Sequence, residues 1–405
     1  MSNLKEKLPL PYQSIPEEWN VHYISDLAVI ATGDSDTQDK VENGLYPFYV
    51  RSQTIERANK FTFDGEAILT AGDGVGVGKV FHLVNGKFAI HQRVYRISDF
   101  TSNITPEYLY SYFSTNFIRQ VYRFTAKTSV DSVRMDMIAK MTIPVPPLPE
   151  QRKIAKILST WDKAIATTEK LIETSKQQKK ALMQQLLTGK KRLVNPDTGK
   201  AFEGEWERYS MSDLVSIDRK SLGKKTADDF KFQYISLSDV DVGSISDELE
   251  VHLFASAPSR ARRVIQEGDI LLSTVRPNLK GFAKVSGKHA DCIASTGFSV
   301  LTPKKRVSGD YIYQYIFSSH VTGQIDSLVV GSNYPAINSS DVAGLKVYCP
   351  TYEEQHKIAS VLTAADKEIE VLEAKLTDFK QEKKALIQQL LTGKRRVQVD
   401  EMEVA

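Results

Sequence analysis

The sequence predicts an α+β chain: two mixed α/β domains joined by two long helices that pair as an antiparallel intramolecular coiled coil, arranged as a pseudo-twofold tandem repeat. Three observations predict it. Residues 176–192 recur as 380–396 with 14 of 17 positions identical, at an offset of 204. Apolar residues ahead of both copies keep a 4-3-4-3 spacing, the 3.5-residue period of a coiled-coil seam. The segments before them carry short β-rich runs broken by turn signals.

The first segment, residues 1–147, reads as a globular domain. Its strand-like runs are 67–70, 79–84 and 93–97, with Asn85-Gly86 as a hairpin signal, and a Tyr-rich helical patch covers 106–122. Residues 148–193 form the first long helix. Its seam is Ile154, Leu158, Trp161, Ile165, Thr168, Ile172, Ser175, Lys179, Leu182 and Leu186. Pro149 suits the start and Gly189 suits a left-handed C-cap.

Residues 194–350 form the second domain, with a helical patch over 309–325. Its frame echoes the first: Trp19 is matched by Trp206, and Tyr108, Tyr110 and Tyr112 by Tyr311, Tyr313 and Tyr315. The second long helix spans 351–397, with Gly393 in the cap position and 398–405 as a tail. Its seam is Ile358, Leu362, Ala365, Ile369, Leu372, Leu376, Phe379, Lys383, Leu386 and Leu390. Lys179, Ser175 and Lys383 interrupt the stripes. They either fix register, as polar seam residues can, or snorkel from a loosely packed stretch.

Two long helices with one pattern in one chain are each other's simplest partner. A pseudo-twofold axis across them makes the pair antiparallel. A rod of about 60 Å would then hold two domains at a separation of roughly 18 base pairs.

Composition excludes several classes. Hydrophobic residues are 41% and charged residues 25%, the balance of an ordinary globular chain. No run approaches the ~20 apolar residues of a membrane span, and the N-terminus lacks the apolar core of a signal peptide. Two cysteines and seven scattered histidines offer no disulfide framework and no metal-site spacing. A reduced, cytoplasmic protein is expected.

The net charge of +3 is uneven. Residues 1–147 carry −1, 148–193 carry +7, 194–350 carry −1 and 351–405 carry −2. A basic helix face is either solvated or meets phosphate or an acidic partner.

The run Gly72-Asp73-Gly74-Val75-Gly76-Val77-Gly78-Lys79 resembles a phosphate loop, but Asp73 occupies the first glycine position and Val80 follows Lys79. That breaks the Walker A pattern, and the following residues read as a strand, not as a Rossmann helix. The run is read as a loop between strands whose backbone either is merely flexible or approaches a ligand such as DNA. No methyltransferase, nucleophile-elbow or triad motif appears.

Arg, Lys, Asn and Gln are the side chains that hold phosphates and read base edges. The candidates of that kind are Arg51, Lys79, Lys87, His91 and Arg93 in the first domain. In the second they are Arg276, Asn278, Lys280, Lys284, Asn333 and Tyr334. The four-residue spacing of Arg276, Lys280, Lys284 and Lys288 suggests cations along one edge.

The chain resembles the specificity (S, HsdS) subunit of type I restriction-modification enzymes. The carriers are Pro146-Pro147-Leu148-Pro149-Glu150-Gln151-x-x-Ile154-Ala155, its echo from Pro350 through Glu354-Gln355 to Ile358-Ala359, and the two Leu-Leu-Thr-Gly-Lys helix ends. The resemblance covers essentially the whole chain. It departs at the second entry, Cys349-Pro350-Thr351-Tyr352, and in the polar centre of the first seam.

The resemblance implies two target recognition domains, each reading half of a bipartite, asymmetric double-stranded DNA site, with the helices as spacers. It implies two modification (methyltransferase) subunits and restriction subunits as partners, and no active site, cofactor or metal in this chain. The complex would use S-adenosylmethionine, ATP and Mg. A different class, a coiled-coil scaffold presenting two protein-binding domains, also accommodates the heptads.

Overall fold

The computed structural model describes residues 4–8, 12, 14–124, 132–329 and 335–399. The chain divides into two compact units. Unit 1 is residues 1–169 with 375–405, and unit 2 is residues 170–374. Each unit therefore joins one globular domain to portions of both long helices.

In unit 1 the order is β1 (Asn20–Tyr23), β2 (Val29–Thr32), β3 (Tyr46–Tyr49), β4 (Glu56–Ala58), β5 (Phe63–Ala71), β6 (Phe81–Ile90), β7 (Val94–Ser98), α1 (Pro106–Phe124), α2 (Met135–Ala139) and β8 (Thr142–Val145). Six strands form one sheet in the order β2-β7-β5-β6-β3-β4, while β1 pairs with β8.

The register forces that sheet to curl. Phe63 faces Phe88 and Ala71 faces Val94. A flat β5 would hold Phe63 and Ala71 roughly 26 Å apart, but the six Cα–Cα steps from Phe88 to Val94 reach at most about 22 Å. The bend has a local cause: Gly65 and Gly86 face each other, with φ of 148° and 104°. Asn85-Gly86 is thus a kink inside a long strand and not the expected hairpin turn. The hairpin turn is the glycine run 72–80.

Unit 2 carries the same plan with a break. Its elements are β9 (Glu207–Ser210), α4 (Met211–Leu214), β10 (Val215–Ile217), β11 (Lys231–Ile235), β12 (Val240–Asp241), β13 (Ser244–Ile245), β14 (Glu250–Leu253), β15 (Ala261–Val264), β16 (Ile270–Ser273), β17 (Phe282–Lys284), β18 (Ile293–Ser295), β19 (Phe298–Pro303), α5 (Gly309–Ile316), α6 (Ser319–Leu328), α7 (Ser339–Gly344) and β20 (Lys346–Cys349). β17 pairs with β16 as β6 pairs with β5, and β18 pairs in parallel with β11 as β6 does with β3. Where unit 1 bends one strand at Gly86, unit 2 splits it into β17 and β18, giving two four-stranded sheets.

The expected single helix over 309–325 is also split. Ser318 caps a new start by accepting a hydrogen bond from the Val321 amide, an N-cap that ends α5 and begins α6.

The long helices are α3 (Leu148–Leu186) and α8 (Tyr352–Leu390), 39 residues each, or about 58 Å at 1.5 Å per residue. None of their seam positions is exposed, whereas the off-seam Leu171 and Val371 are 48% and 66% exposed. Gly189 and Gly393 end them with φ of 69°, the left-handed cap that glycine adopts without a Cβ penalty.

Within each unit the segments run antiparallel, and the cross-helix contacts repeat. In unit 1 Lys380 meets Glu169 and Lys383 meets Asp162. In unit 2 their repeat mates do the same, Lys176 with Glu373 and Lys179 with Asp366. The seam lysines are therefore engaged with carboxylates across the helix pair. Trp161 and Phe379 pack edge to face with centroids 5.5 Å apart.

The Glu-Gln motif at each helix start is a joint. The Thr105 amide donates to Gln151 Oε1 (2.8 Å), and Gln151 Nε2 donates to the Pro146 carbonyl (2.8 Å). In unit 2 the Ser308 amide donates to Gln355 Oε1 (3.1 Å), and Gln355 Nε2 to the Pro350 carbonyl (3.0 Å).

Glu150 receives Arg396 from the end of α8, at 2.8 and 2.9 Å, while Glu354 receives Arg192 from the end of α3. The repeated frame of each domain closes on the same place: Tyr108 and Tyr311 donate their hydroxyls to the carbonyls of Pro144 and Tyr348. Cys292 and Cys349 are free and buried. Burial pushes the Cys349 thiol up to about 12.

Candidate nucleic-acid interface

The glycine run of unit 1 and residues 274–281 of unit 2 occupy corresponding hairpins. In unit 1 the loop 72–80 joins β5 to β6 and contains a single 3₁₀ turn, Gly74–Gly76. In unit 2 the loop 274–281 joins β16 to β17 around the turn Pro277–Leu279. Both are tied from behind in the same way: the Val133 amide donates to the Gly72 carbonyl (2.7 Å), and the Ile337 amide to the Thr274 carbonyl (2.9 Å).

Two glycines of the first loop serve close packing. A Cβ on Gly76 would lie 2.1 Å from the Arg51 carbonyl oxygen, and one on Gly78 2.5 Å from Ile118 Cδ1. At the loop's tip Val75 is 93% exposed. The second loop stores strain instead. Arg276 and Lys280 hold φ of 47° and 55°, left-handed conformations that cost a non-glycine residue about 1–2 kcal/mol and concentrate at functional sites.

Each loop faces another 3₁₀ turn across a cavity. In unit 1 the turn is Thr37–Asp39, and the cavity, about 500 Å³, is lined by Thr37, Phe48, Arg51, Asp73, Val75 and His91 among others. In unit 2 the turn is Leu237–Asp239. Its cavity, about 360 Å³, is lined by Ser238, Asp241, Ser273, Val275, Arg276 and Leu279 among others.

Charge in unit 1 is organised by Asp73. Arg51 Nη1 donates to its Oδ1 (2.8 Å), and Arg93 Nη1 donates to its Oδ2 (2.6 Å). Partial burial raises the Asp73 pKa, but the two arginines outweigh it and hold the carboxyl below its ordinary value.

His91 forms part of the cavity wall at 4% exposure. Its Nδ1 accepts from the Arg93 amide (3.0 Å) and its Nε2 lies 3.3 Å from Thr37 Oγ1. Desolvation, with the nearby Arg51, depresses its pKa, and Asp36 and Asp73 only partly oppose this. The ring therefore favours its neutral form and supports the backbone under Arg93.

The structure brings Arg51 and His91 together at one cavity, with Arg93 lining a second one and joined to them through Asp73, and places Arg276, Asn278 and Lys280 on one loop. Lys79 is exposed at the end of the first loop. Lys87 stands apart on β6, 4.9 Å over the Phe61 ring and 4.0 Å from Asp64.

The expected cationic edge in unit 2 does not form. Lys284 lies on β17 and pairs with Asp310 of α5, and Lys288 pairs with Asp247. β-Strand pleating and the split after β17 send these side chains elsewhere. Asn333 and Tyr334 lie outside the described residues.

Asp73 and the two facing 3₁₀ turns were not singled out from sequence. The one available signal was an acidic residue inside a glycine run. Among the described residues, no group of three or more His, Cys, Asp or Glu could hold a metal ion, and no helix is long and apolar enough to cross a membrane.

Comparison with known proteins agrees with this plan. A family model described as "Type I restriction modification DNA specificity domain" matches residues 16–177 and again 203–380. The type I restriction enzyme MjaVIII specificity subunit of Methanocaldococcus jannaschii is 26% identical over 406 residues, covering 95% of this chain and 94% of that one. The EcoDI specificity subunit of Escherichia coli is 22% identical over 367 residues, covering 85% and 80%.

The fold is similar to the crystal structure of a type I restriction-modification S subunit from M. genitalium, with a TM-score of 0.65 at 15% identity over 95% of this chain and 98% of that one. With two matched copies spanning most of its length, this chain belongs to the type I restriction-modification DNA specificity family.

Proposed function

We propose that the chain is the sequence-reading subunit of a type I restriction-modification complex. Each unit reads one half of a bipartite, asymmetric site in double-stranded DNA. The helix pair sets the gap and docks two modification (methyltransferase) subunits and the restriction subunits. The chain itself is non-catalytic. S-adenosylmethionine for adenine methylation, and ATP and Mg for restriction, are held by the partners, and the assembly works in the cytoplasm.

The observation that carries this reading is a contrast between identical joints and different loops. Glu150 with Arg396 and Glu354 with Arg192 build the same connection twice. The hairpin loops differ in their exposed residues: Gly74, Val75 and Lys79 in one unit, Arg276, Asn278 and Leu279 in the other. A repeated frame with divergent tips suits two different targets. Exposed Arg and Asn reach base edges in the major groove, while surrounding cations position the protein on phosphates.

The test is methylome sequencing of cells producing the chain with its cognate modification subunit. Two short half-sites separated by a fixed gap are expected. Inserting one heptad in each helix, between Glu169 and Lys170 and between Ala374 and Lys375, lengthens the pair by about 10 Å, or roughly three base pairs. The gap should change and both half-sites should persist. A changed half-site sequence contradicts the division of labour. Loss of all DNA association from an intact complex supports the alternative, a coiled-coil scaffold presenting two protein-binding domains.

A further inference from the structure

Three loops of unit 1 are locked together by one carboxylate. Arg51 follows β3, Asp73 sits in the β5–β6 hairpin, and Arg93 precedes β7. They are 20 and 22 residues apart in sequence yet share two hydrogen bonds at 2.8 and 2.6 Å. The exposure is graded: the Asp73 side chain is 16% exposed, those of Arg51 and Arg93 46% and 60%. The acid is the anchor and the guanidinium groups face outward.

A guanidinium has five N–H donors in a rigid planar fork. The hydrogen bond to Asp73 occupies Nη1 of each arginine and restricts the side chain's rotation. His91 fixes the backbone of Arg93 through its amide, from a buried position. The cluster carries two positive charges and one negative, so it keeps a net attraction for DNA while its geometry is fixed.

This arrangement suits one base above the others. Guanine presents O6 and N7 side by side in the major groove, the pair of acceptors that an arginine fork engages through two hydrogen bonds. Arg51 and Arg93 share the two oxygens of a single carboxylate, which ties them together at one place in the fold, where they can address neighbouring base pairs stacked roughly 3.4 Å apart.

We propose that Asp73 is a positioning residue that presents Arg51 and Arg93 as a paired guanine reader, so that the half-site read by unit 1 contains guanines at adjacent or next-but-one positions. The assignment rests on the reading of the chain as a DNA specificity subunit.

The test uses the intact complex with its cognate modification subunit, and methylome sequencing as the readout. The native complex should methylate a bipartite site in which one half contains two such guanines, on either strand. Arg51→Lys and Arg93→Lys keep the charge and lose the fork. Each should relax one guanine position, with discrimination falling on the order of 10- to 100-fold, and leave the other half-site and the gap intact. Asp73→Asn should relax both positions together. A merely structural role for these residues would lower methylation at every site without changing base preference at particular positions.

The assignment is overturned if the bipartite motif lacks guanines at that spacing, or if both lysine variants keep the native motif. If no bipartite motif is produced at all, the specificity-subunit reading itself fails, which separates the two outcomes. Should Asp73→Asn not fold, the two lysine variants still decide.

Discussion

Arg192 closes on Glu354 through two charge-assisted hydrogen bonds, Nε to Oε1 and Nη2 to Oε2, both 2.7 Å, and the Glu354 side chain is fully buried. The end of α3 is thereby fastened to the start of α8 within unit 2. Arg192→Ala should cost about 3–5 kcal/mol, because it strands a buried carboxylate.

Arg396→Ala, at the matching joint of unit 1, should cost less. Glu150 keeps the Trp19 indole N–H as a donor at 3.1 Å, and the Arg396 side chain is 44% exposed. Urea unfolding of both variants checks the ranking, and an equal or larger loss in the Arg396 variant contradicts it.

The seam lysines give a second prediction. Lys383 reaches Asp162 across the pair, and Lys179 reaches Asp366, which also accepts from Gln314 Nε2 at 2.8 Å. Lys383→Asp would set like charges together at a partly exposed site and should cost about 1 kcal/mol. Adding Asp162→Lys should recover most of it. Failure of the double reversal to recover stability would mean that the lysine contributes through packing of its stem and not through charge.

Much of this fold was legible in the sequence, for a physical reason. A seam that must be dry repeats every 3.5 residues, so Ile154 through Leu186 and Ile358 through Leu390 announced the helices. Gly189 and Gly393 announced their ends. The joint was visible as the recurring Glu-Gln pair, although nothing in the sequence marked Arg192 and Arg396 as its partners.

The site was less legible. The Asp73 clamp joins residues with no shared periodicity, and its one local mark is an acidic residue inside a glycine run. The strand break at 285–292 and the kink at Gly86 depend on how a curled sheet resolves its strain. Lys284 and Lys288 keep a helical spacing in sequence that a strand and a turn do not preserve.

A pH prediction follows from His91. Desolvation, with Arg51 nearby, holds its folded-state pKa below the ordinary value of 6.5. Between that depressed value and about 6.5 the unfolded chain binds the proton more readily, so stability rises with pH across the window. The full contribution is present above 6.5 and falls away as the pH drops below it. His82, also depressed by desolvation, acts in the same direction. His91→Asn, whose Oδ1 can still accept from the Arg93 amide, should flatten part of the stability loss below pH 6.5. Urea midpoints at pH 5–7.5 measure it. An unchanged slope would mean that His91 does not carry the effect.

Arg276 allows stability and binding to be separated. Its φ of 47° and ψ of 51° lie in the left-handed region, where a side chain costs about 1 kcal/mol or more and glycine costs little. Glycine also raises the entropy of the unfolded chain, which offsets part of that relief. Arg276→Gly should therefore relieve up to about 1 kcal/mol of backbone strain, set against the loss of the side chain's own interactions.

In the assembled complex the same variant should weaken DNA binding by roughly tenfold or more if Arg276 contacts a base. If it contacts a phosphate, affinity should fall evenly across sequences and the salt dependence should lose about one unit of slope. A variant that is stabilised and binds DNA with native affinity, specificity and salt slope would remove Arg276 from the interface. It would also leave the strained loop without a functional reason.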